Sequence, residues 1–288
     1  MVTNMKSGFV VLIGRSNVGK STLLNTLVGT KIAAVTEKPQ TTRHAIHGVL
    51  TRPEGQIVFV DTPGVFKEVS GALTKTLTKT IAESLSEIDA IIYVVDPTRS
   101  IGAEERAALA MVRHITKPKF LVINKIDLPE DQTVYLPDFR ALADNFDGVF
   151  ELSAREARHI KPLIAAVLDA LPEGEPMYPE GQTSNNTDSF WVAEVIREKV
   201  FNATSDEIPY ATHVTVDAIG TKGEYEVITA RILTTEERYK KMLIGKGGPA
   251  SVNDAEGITI SVHHNLLAHI GSRAPAIGYA KLADYRNN

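Results

Sequence analysis

The stretch that decides the fold of this 288-residue chain reads Gly14-Arg15-Ser16-Asn17-Val18-Gly19-Lys20-Ser21. Its spacing, G-x-x-x-x-G-K-S, is typical of a loop whose backbone N–H groups surround phosphates. The apolar run 9–13 precedes the loop and predicts a strand that is buried on both faces. Residues 22–28 place leucine and valine at helical spacing, and a helix that begins near Lys20 directs its positive dipole end at an anion. The sequence therefore predicts a triphosphate site between the first strand and the first helix.

The residues of this loop have separate expected roles. Lys20 can reach the β- and γ-phosphates, and the Ser21 hydroxyl can ligate Mg²⁺. The alternative is a glycine-rich turn that caps the helix without binding a ligand. The residues expected to contact the nucleotide here are Gly14, Arg15, Ser16, Asn17, Val18, Gly19, Lys20, Ser21 and Thr22.

A second phosphate motif follows the predicted strand 56–60 and reads Asp61-Thr62-Pro63-Gly64, a D-x-x-G. An acidic residue at the carboxyl end of a strand can hold Mg²⁺ through a water, and the backbone N–H of Gly64 can meet the γ-phosphate. Alone this motif predicts only a turn, but behind the first motif it predicts a nucleotide site. We therefore add Asp61, Thr62, Pro63 and Gly64 to the nucleotide-binding residues, with Lys20 and Gly64 as catalytic candidates.

Base specificity is predicted by Asn124-Lys125-Ile126-Asp127, an N-K-x-D directly after the apolar run 119–123. The Asp127 carboxylate can accept hydrogen bonds from guanine N1–H and the exocyclic amine, an arrangement that adenine lacks. Asn124 should tie this loop to the phosphate loop, and the stem of Lys125 can lie over the base. After the last strand come Ser153 and Ala154, and we expect the backbone N–H of Ala154 to meet guanine O6.

The order of the elements predicts the fold class. Apolar strands are predicted at 9–13, 45–51, 56–60, 90–95, 119–123 and 149–152, with a turn at 52–55 between the second and third. Helical patterns are found at 22–28, 103–115 and 160–171. This order predicts an α/β fold with a doubly wound, mostly parallel sheet and the ligand at the carboxyl ends of its strands. We expect this domain at 1–172, a linker rich in Pro, Gly, Glu and Asn with little to bury at 173–188, and an α+β, KH-like domain at 189–288.

The second domain carries a candidate RNA site. A helix at 190–201 and strands at 213–219 and 225–233 precede Lys240, Lys241 and a G-x-x-G at 245–248. Such a loop in a KH domain clamps about four single-stranded nucleotides. The alternatives are an ordinary glycine turn and a Rossmann-type loop, whose full motif is absent. The candidate RNA-binding residues are Lys240, Lys241, Gly245, Lys246, Gly247 and Gly248. Beyond them, 258–262 predicts a third strand, and the tail shows no clear pattern.

Composition limits the class of protein. The chain has no cysteine, which suits a reducing compartment, and no apolar run approaches the ~20 residues of a membrane span. Its net charge of −4 gives no general support for a nucleic-acid partner, so that interpretation depends on local basic clusters. The adjacent Glu104 and Glu105 predict solvated charges, and Trp191 is expected in a core.

The motif set G-R-S-N-V-G-K-S, K-P-Q-T-T-R, D-T-P-G and N-K-I-D, with A-E-V-I-R-E-K-V-F in the second half, resembles the Era family of bacterial ribosome-assembly GTPases. The resemblance covers roughly residues 7–248. It implies that GTP or GDP and Mg²⁺ bind here, with Ser21, Thr42 and Asp61 around the metal and Thr42 also catalytic. Thr41 is the alternative to Thr42 in this role. The resemblance implies in addition that Asn17 helps to hold a K⁺ ion. Ser16 and Arg155 depart from the proline and lysine usual in the family.

The resemblance also implies partners, namely small-subunit (16S) rRNA and the 30S ribosomal subunit. We expect a cytoplasmic monomer with no DNA partner, and an association with the inner face of the cell membrane is left open. Because Val65 stands where other GTPases carry a water-positioning glutamine, we expect slow intrinsic hydrolysis. The alternatives are an RNA-binding scaffold with a structural GTP site, and a tRNA-modification or membrane-associated GTPase.

Overall fold

The computed structural model describes residues 5–36, 38, 46–62, 88–205, 207–222, 225–244, 258–262 and 278–282. The chain divides into two compact units, Met1–Asn185 and Asn186–Asn288.

The first unit is built on a six-stranded sheet with the order β2-β3-β1-β4-β5-β6. Its strands are β1 (Lys6–Ile13), β2 (Ile46–Arg52), β3 (Gly55–Asp61), β4 (Ala90–Val95), β5 (Lys119–Ile123) and β6 (Gly148–Glu151). β2 and β3 are antiparallel, and all other neighbours are parallel. The predicted mostly parallel α/β sheet is confirmed.

Four helices and one short 3₁₀ turn accompany these strands in the described part of the unit. They are α1 (Lys20–Val28), α2 (Ala103–Arg113), α3 (Leu136–Arg140), the 3₁₀ turn Ala143–Asn145 and α4 (Ile160–Ala170). The sequence pattern predicted α1, α2 and α4. It missed α3, because five residues are too few to show a helical period.

One cluster of the core of this unit lies between the middle strands and α2. All six residues of β4 are buried, as the continuous apolar run predicts. Tyr93 on β4 packs in one cluster with Val112 of α2 and Phe139 of α3. Each large apolar side chain buried in this way contributes about 1.5–3 kcal/mol. The result is a packed support for the loops that leave the carboxyl ends of the strands.

Residues 173–185 were predicted to be part of a linker with little to bury. They belong to the first unit and are hydrogen bonded to its strands. The buried Gln56 side chain accepts from the backbone N–H groups of Met177 and Tyr178 at 2.8 and 2.9 Å and donates to the Tyr178 carbonyl at 2.9 Å. The Val49 N–H donates to the Thr183 carbonyl at 2.9 Å. The segment satisfies polar groups along β2 and β3 instead of running through solvent.

The second unit contains α5 (Asp188–Ala203), β7 (Thr212–Lys222), β8 (Tyr225–Thr234), α6 (Glu237–Ile244), β9 (Ile258–Val262) and β10 (Gly278–Leu282). Thr187 caps α5 by accepting from the Phe190 N–H. Apolar residues of α5 and the strands form its core, and Trp191 packs against that core, as expected.

The sheet of this unit has the order β7-β8-β10-β9. The predicted third strand, 258–262, is present as β9, but it does not pair with β8. β10, which the sequence did not predict, pairs with β8 in parallel and with β9 in antiparallel fashion. The spacing of residues within a segment cannot predict that a strand from later in the chain lies between two earlier strands. No helix among the residues described above is both long enough and apolar enough to cross a membrane.

Candidate functional site

The predicted motifs of the first unit meet at the carboxyl edge of its sheet. The phosphate loop follows β1, Asp61 ends β3, Asn124 follows β5, and Ser153 follows β6. Because β1 lies between β3 and β4, with β5 next to β4, the loops are neighbours in space. This edge is where ligands bind in open α/β sheets.

Two glycines of the phosphate loop allow contacts that no side chain would permit. A Cβ at Gly14 would lie 2.3 Å from the Val94 carbonyl oxygen, and a Cβ at Gly19 would lie 2.3 Å from Asn124 Nδ2. Gly19 also has φ of 97°, which favours glycine. It precedes α1 without a side-chain cap, and the first turn of α1 holds no acidic residue. The N-terminal N–H groups of α1 are therefore directed at a site that suits an anion.

Lys20 is folded back onto its own loop. Its ammonium donates to the carbonyls of Gly14 and Arg15 at 3.0 and 2.9 Å, and the residue is buried. Burial lowers the pKa of Lys20 to about 8, although the nearby Asp61 carboxylate opposes this shift. A buried ammonium at the centre of the loop is placed to move onto a phosphate oxygen.

Ser21 and Asp61, two of the predicted metal ligands, are in contact. The Ser21 hydroxyl donates to Asp61 Oδ2 at 2.6 Å, and Asp61 is completely buried. Thr62 is also buried, and its hydroxyl donates to the Leu12 carbonyl at 2.8 Å. A hydroxyl next to a carboxylate offers the oxygen ligands that Mg²⁺ prefers. Three other predicted residues, Thr42, Pro63 and Gly64, lie outside the described residues.

Asn124 joins the phosphate loop to the loop after β6. Its Nδ2 donates to the Val18 carbonyl at 2.9 Å, which is the tie that the sequence predicted. Its Oδ1 accepts from the backbone N–H of Ala154 at 2.9 Å. We expected guanine O6 to meet this N–H, and that contact stays a prediction, since the N–H donates to Asn124 Oδ1 here. The Asn124 side chain, held in place by the phosphate loop, already provides an acceptor for it.

Asp127 is the acidic residue of the N-K-x-D motif in the loop that follows β5. Its Oδ1 is buried and has no hydrogen-bond partner within the described ranges. Burying a carboxylate oxygen without a donor costs free energy. The oxygen is thus well suited to a ligand that brings its own N–H donors, such as guanine.

Asp96, which the sequence analysis did not identify, holds the side chain of Lys125. Lys125 Nζ donates to Asp96 Oδ2 at 2.6 Å, and Thr98 donates to Oδ1 through both its N–H and its hydroxyl. Burial alone would raise the pKa of Asp96, but these hydrogen bonds lower it, so the carboxylate remains ionised. The only sequence signal was its position directly after β4.

The Arg15 side chain points away from the phosphate side of its loop. It forms an ion pair with Glu105 at 3.1 Å between Nε and Oε2, and it donates to the Ser100 carbonyl at 3.0 Å. Glu105 is fully buried and also accepts from the Tyr93 hydroxyl, so the predicted solvated charge was wrong. The sequence did not distinguish Glu105 from the adjacent Glu104, because burial depends on which face of α2 meets the sheet. Burial raises the pKa of Glu105, and the contacts with Tyr93 and Arg15 oppose that rise.

The structure describes two further predicted residues, Asn17 and Ser153, but the positions of their side chains do not define a role in the site. Asn17 is exposed at the tip of the phosphate loop with φ of 61°. Ser153 is buried, and its hydroxyl accepts from the Glu156 N–H at 3.1 Å.

The candidate RNA site lies in the second unit at the end of α6. Lys240 and Lys241 belong to this helix, which ends at Ile244, immediately before the G-x-x-G. The glycine loop itself, Gly245, Lys246, Gly247 and Gly248, lies outside the described residues.

Comparisons with known proteins agree with this geometry. A family model described as "50S ribosome-binding GTPase" matches residues 9–125. A crystal structure of Era in complex with MgGDPNP and nucleotides 1506–1542 of 16S ribosomal RNA is 30% identical, with a TM-score of 0.80 over 97% of this chain and 93% of that one. A variant of Aquifex aeolicus Era bound to GDP·AlF₄⁻ is 29% identical, with the same TM-score and the same coverage.

The similarities to the two Era structures extend over both units, and this chain brings the phosphate loop, the Ser21–Asp61 pair and the loop of Asn124 to one sheet edge. The chain therefore belongs to the Era family of GTPases.

Proposed function

We propose that this GTPase is a molecular switch that binds small-subunit rRNA and assists assembly of the 30S subunit. One observation carries the nucleotide part of the proposal. Asp127 Oδ1 is buried without a hydrogen-bond partner in the described part of the chain, in the loop that Asn124 attaches to the phosphate loop. That arrangement supports guanine recognition next to a phosphate site.

The phosphate end of the site is assigned to residues that already face one another. We assign the phosphates to Lys20 and the backbone N–H groups of residues 14–22. Ser21 and Asp61 would hold Mg²⁺, and Thr42 would complete the metal shell. Mg²⁺, when bound, neutralises charge on the β- and γ-phosphate oxygens. The N–H of Gly64 is proposed to contact the γ-phosphate.

The base end of the site is assigned to Asp127 and Lys125. Asp127 would accept from N1–H and the exocyclic amine of guanine, and the stem of Lys125 would cover the ring. Ser153 and Ala154 would line the pocket beside guanine O6. Asn17 is proposed to contribute to a K⁺ site near the phosphates.

Hydrolysis by the isolated protein should be slow, since Val65 can neither orient nor deprotonate water. We expect a single-turnover rate far below the ~5–20 s⁻¹ of assisted GTPases. Lys20 and backbone donors would stabilise the transition state, and a partner or cation would raise the rate.

The RNA part of the proposal concerns the second unit. The Era structure with 16S nucleotides resembles this chain over 97% of its length, whereas the "50S ribosome-binding" description applies to a family model that matches only 9–125. Small-subunit rRNA is therefore the better-supported partner. The proposed contacts are Lys240, Lys241, Gly245, Lys246, Gly247 and Gly248, where glycines allow close approach to a sugar–phosphate backbone.

The test is a titration of single-stranded 16S rRNA fragments with GTP- and GDP-loaded protein at stated salt concentrations. A switch predicts different RNA affinities in the two states, and the Thr42→Ala variant should remove the difference. RNA affinity that is identical with GTP and GDP would contradict the switch and support a scaffold. Lys246→Ala should weaken RNA binding without changing GDP affinity.

Further parts of the proposal concern the location of the protein in the cell and its oligomeric state. We propose that the protein works in the cytoplasm as a monomer without a DNA partner. Sedimentation of the protein with vesicles of anionic lipid tests whether it also binds the membrane surface.

A further inference from the structure

Asp96 stands at the centre of a network that reaches both ends of the nucleotide site. Its Oδ2 accepts from Lys125 Nζ at 2.6 Å and lies 3.5 Å from Arg99 Nε. The Asp96 side chain is only 1% exposed, whereas those of Lys125 and Arg99 are 32% and 40% exposed, so solvent screens these charges in part. Thr98 supplies two further hydrogen bonds to Oδ1, at 2.9 and 2.7 Å, which fix the orientation of the carboxylate.

The partners of Asp96 lead to different loops. Lys125 belongs to the base-recognition loop and has φ of 66°, a conformation that an ordinary residue adopts only when its surroundings hold it. Arg99 Nη2 donates to the Ser16 carbonyl in the phosphate loop at 2.7 Å. Arg15, in the same loop, donates back to the Asp96 carbonyl at 3.4 Å.

We propose that Asp96 is a positioning residue for GTP, which sets Lys125 over the guanine ring. This inference rests on the proposed nucleotide site. Asp96 does not touch the nucleotide; it limits the movement of the Lys125 head group, so that the stem remains over the base. Without it, the ammonium of Lys125 can turn into solvent and the stem leaves the ring.

A double-mutant cycle in the full-length protein separates positioning from general support of the fold. GDP affinity is measured by competition with a fluorescent GDP analogue for the wild type, Asp96→Asn, Lys125→Met and the double variant. We expect Asp96→Asn to weaken GDP binding about tenfold when Lys125 is present, and less than about twofold in the Lys125→Met background. Asp96→Glu, which retains a carboxylate, should recover part of the affinity.

Equal losses in both backgrounds would overturn the inference, because Asp96 would then act independently of Lys125. If Asp96→Asn lacks a cooperative thermal transition, Thr98→Val replaces it in the cycle. That change removes a donor to Oδ1 and leaves the Lys125 contact in place, and its smaller effect should likewise disappear with Lys125→Met.

Asp127→Asn, measured in parallel, distinguishes failure of the inference from failure of the proposed function. If Asp127→Asn removes the preference for GDP and Asp96→Asn changes nothing, only the positioning role is wrong. If Asp127→Asn changes nothing either, the proposed nucleotide site is wrong as well.

Discussion

Two pairs of arginine and carboxylate, one behind the phosphate loop and one on the sheet of the second unit, show how differently charge is used at two places in the molecule. Arg15 and Glu105, behind the phosphate loop, have side chains that are 6% and 0% exposed. Arg231 and Asp217, on the sheet of the second unit, are 43% and 34% exposed. Charges buried in pairs are costly to separate, whereas water and salt replace the partners of exposed ones. The comparison teaches that the phosphate loop is anchored by contacts that it cannot exchange at low cost.

The largest effect is expected when the buried pair is broken. Glu105→Ala leaves the Arg15 guanidinium buried without its counter-ion, which should lower the free energy of unfolding by about 3–5 kcal/mol. Urea unfolding of the variant and the wild type measures this difference in the free energy of unfolding. Glu104→Ala, at the adjacent position on α2, is the matched control and should cost well under half as much. Equal effects of the two substitutions would show that burial of Glu105 does not matter.

The second-largest loss of stability is expected from replacing a buried neutral side chain, that of Gln56. Gln56→Leu removes the acceptor for two backbone N–H groups and the donor to the Tyr178 carbonyl, at a cost of roughly 2–3 kcal/mol. Amide hydrogen exchange should rise at Met177 and Tyr178. Thr51→Val, which removes only the Gln56–Thr51 bond of 3.0 Å, should leave exchange at these two amides unchanged. Unchanged protection in Gln56→Leu would mean that other contacts hold residues 173–185.

A smaller, pH-dependent effect is expected from Asp96. Its pKa is lowered in the folded state, so its stabilising contribution is present above the unfolded pKa of about 3.8 and is lost as the pH falls through the folded value. Asp96→Asn should therefore destabilise the protein most near neutral pH and progressively less in acid. Unfolding by urea at a series of pH values checks this. A difference that grows as the pH falls would contradict the sign.

The exposed pair should give the smallest effect. Asp217→Asn is expected to leave the unfolding midpoint unchanged within error at physiological salt, because the pair faces water. A shift as large as that of Glu105→Ala would remove the contrast between the two pairs.

Local sequence predicted the strands of the first unit well, because each strand is one continuous apolar run in the sequence. The apolar runs 90–95 and 119–123 are β4 and β5 with the same bounds. In the second unit β10 enters the sheet between β8 and β9, and only long-range pairing determines that position.

Sequence could propose residues of the candidate site where a motif carries its own spacing, as with Lys20, Ser21 and Asp127. Asp96, Arg99 and Glu105 belong to no motif. Their roles depend on β4 lying beside β1 and on the face of α2 that turns inward. The packed sheet creates these contacts, so the sequence showed only unremarkable charges at these positions.

The most direct test of the central claim is competition binding of GDP, ADP and xanthosine diphosphate to the wild type and to Asp127→Asn. The wild type should prefer GDP to ADP by on the order of 10⁴-fold, since adenine leaves the carboxylate without donors. Asp127→Asn should lose GDP affinity and gain affinity for xanthosine diphosphate, because an amide can donate to the added carbonyl. A variant that still prefers GDP would contradict the assignment of Asp127 as the group that recognises guanine.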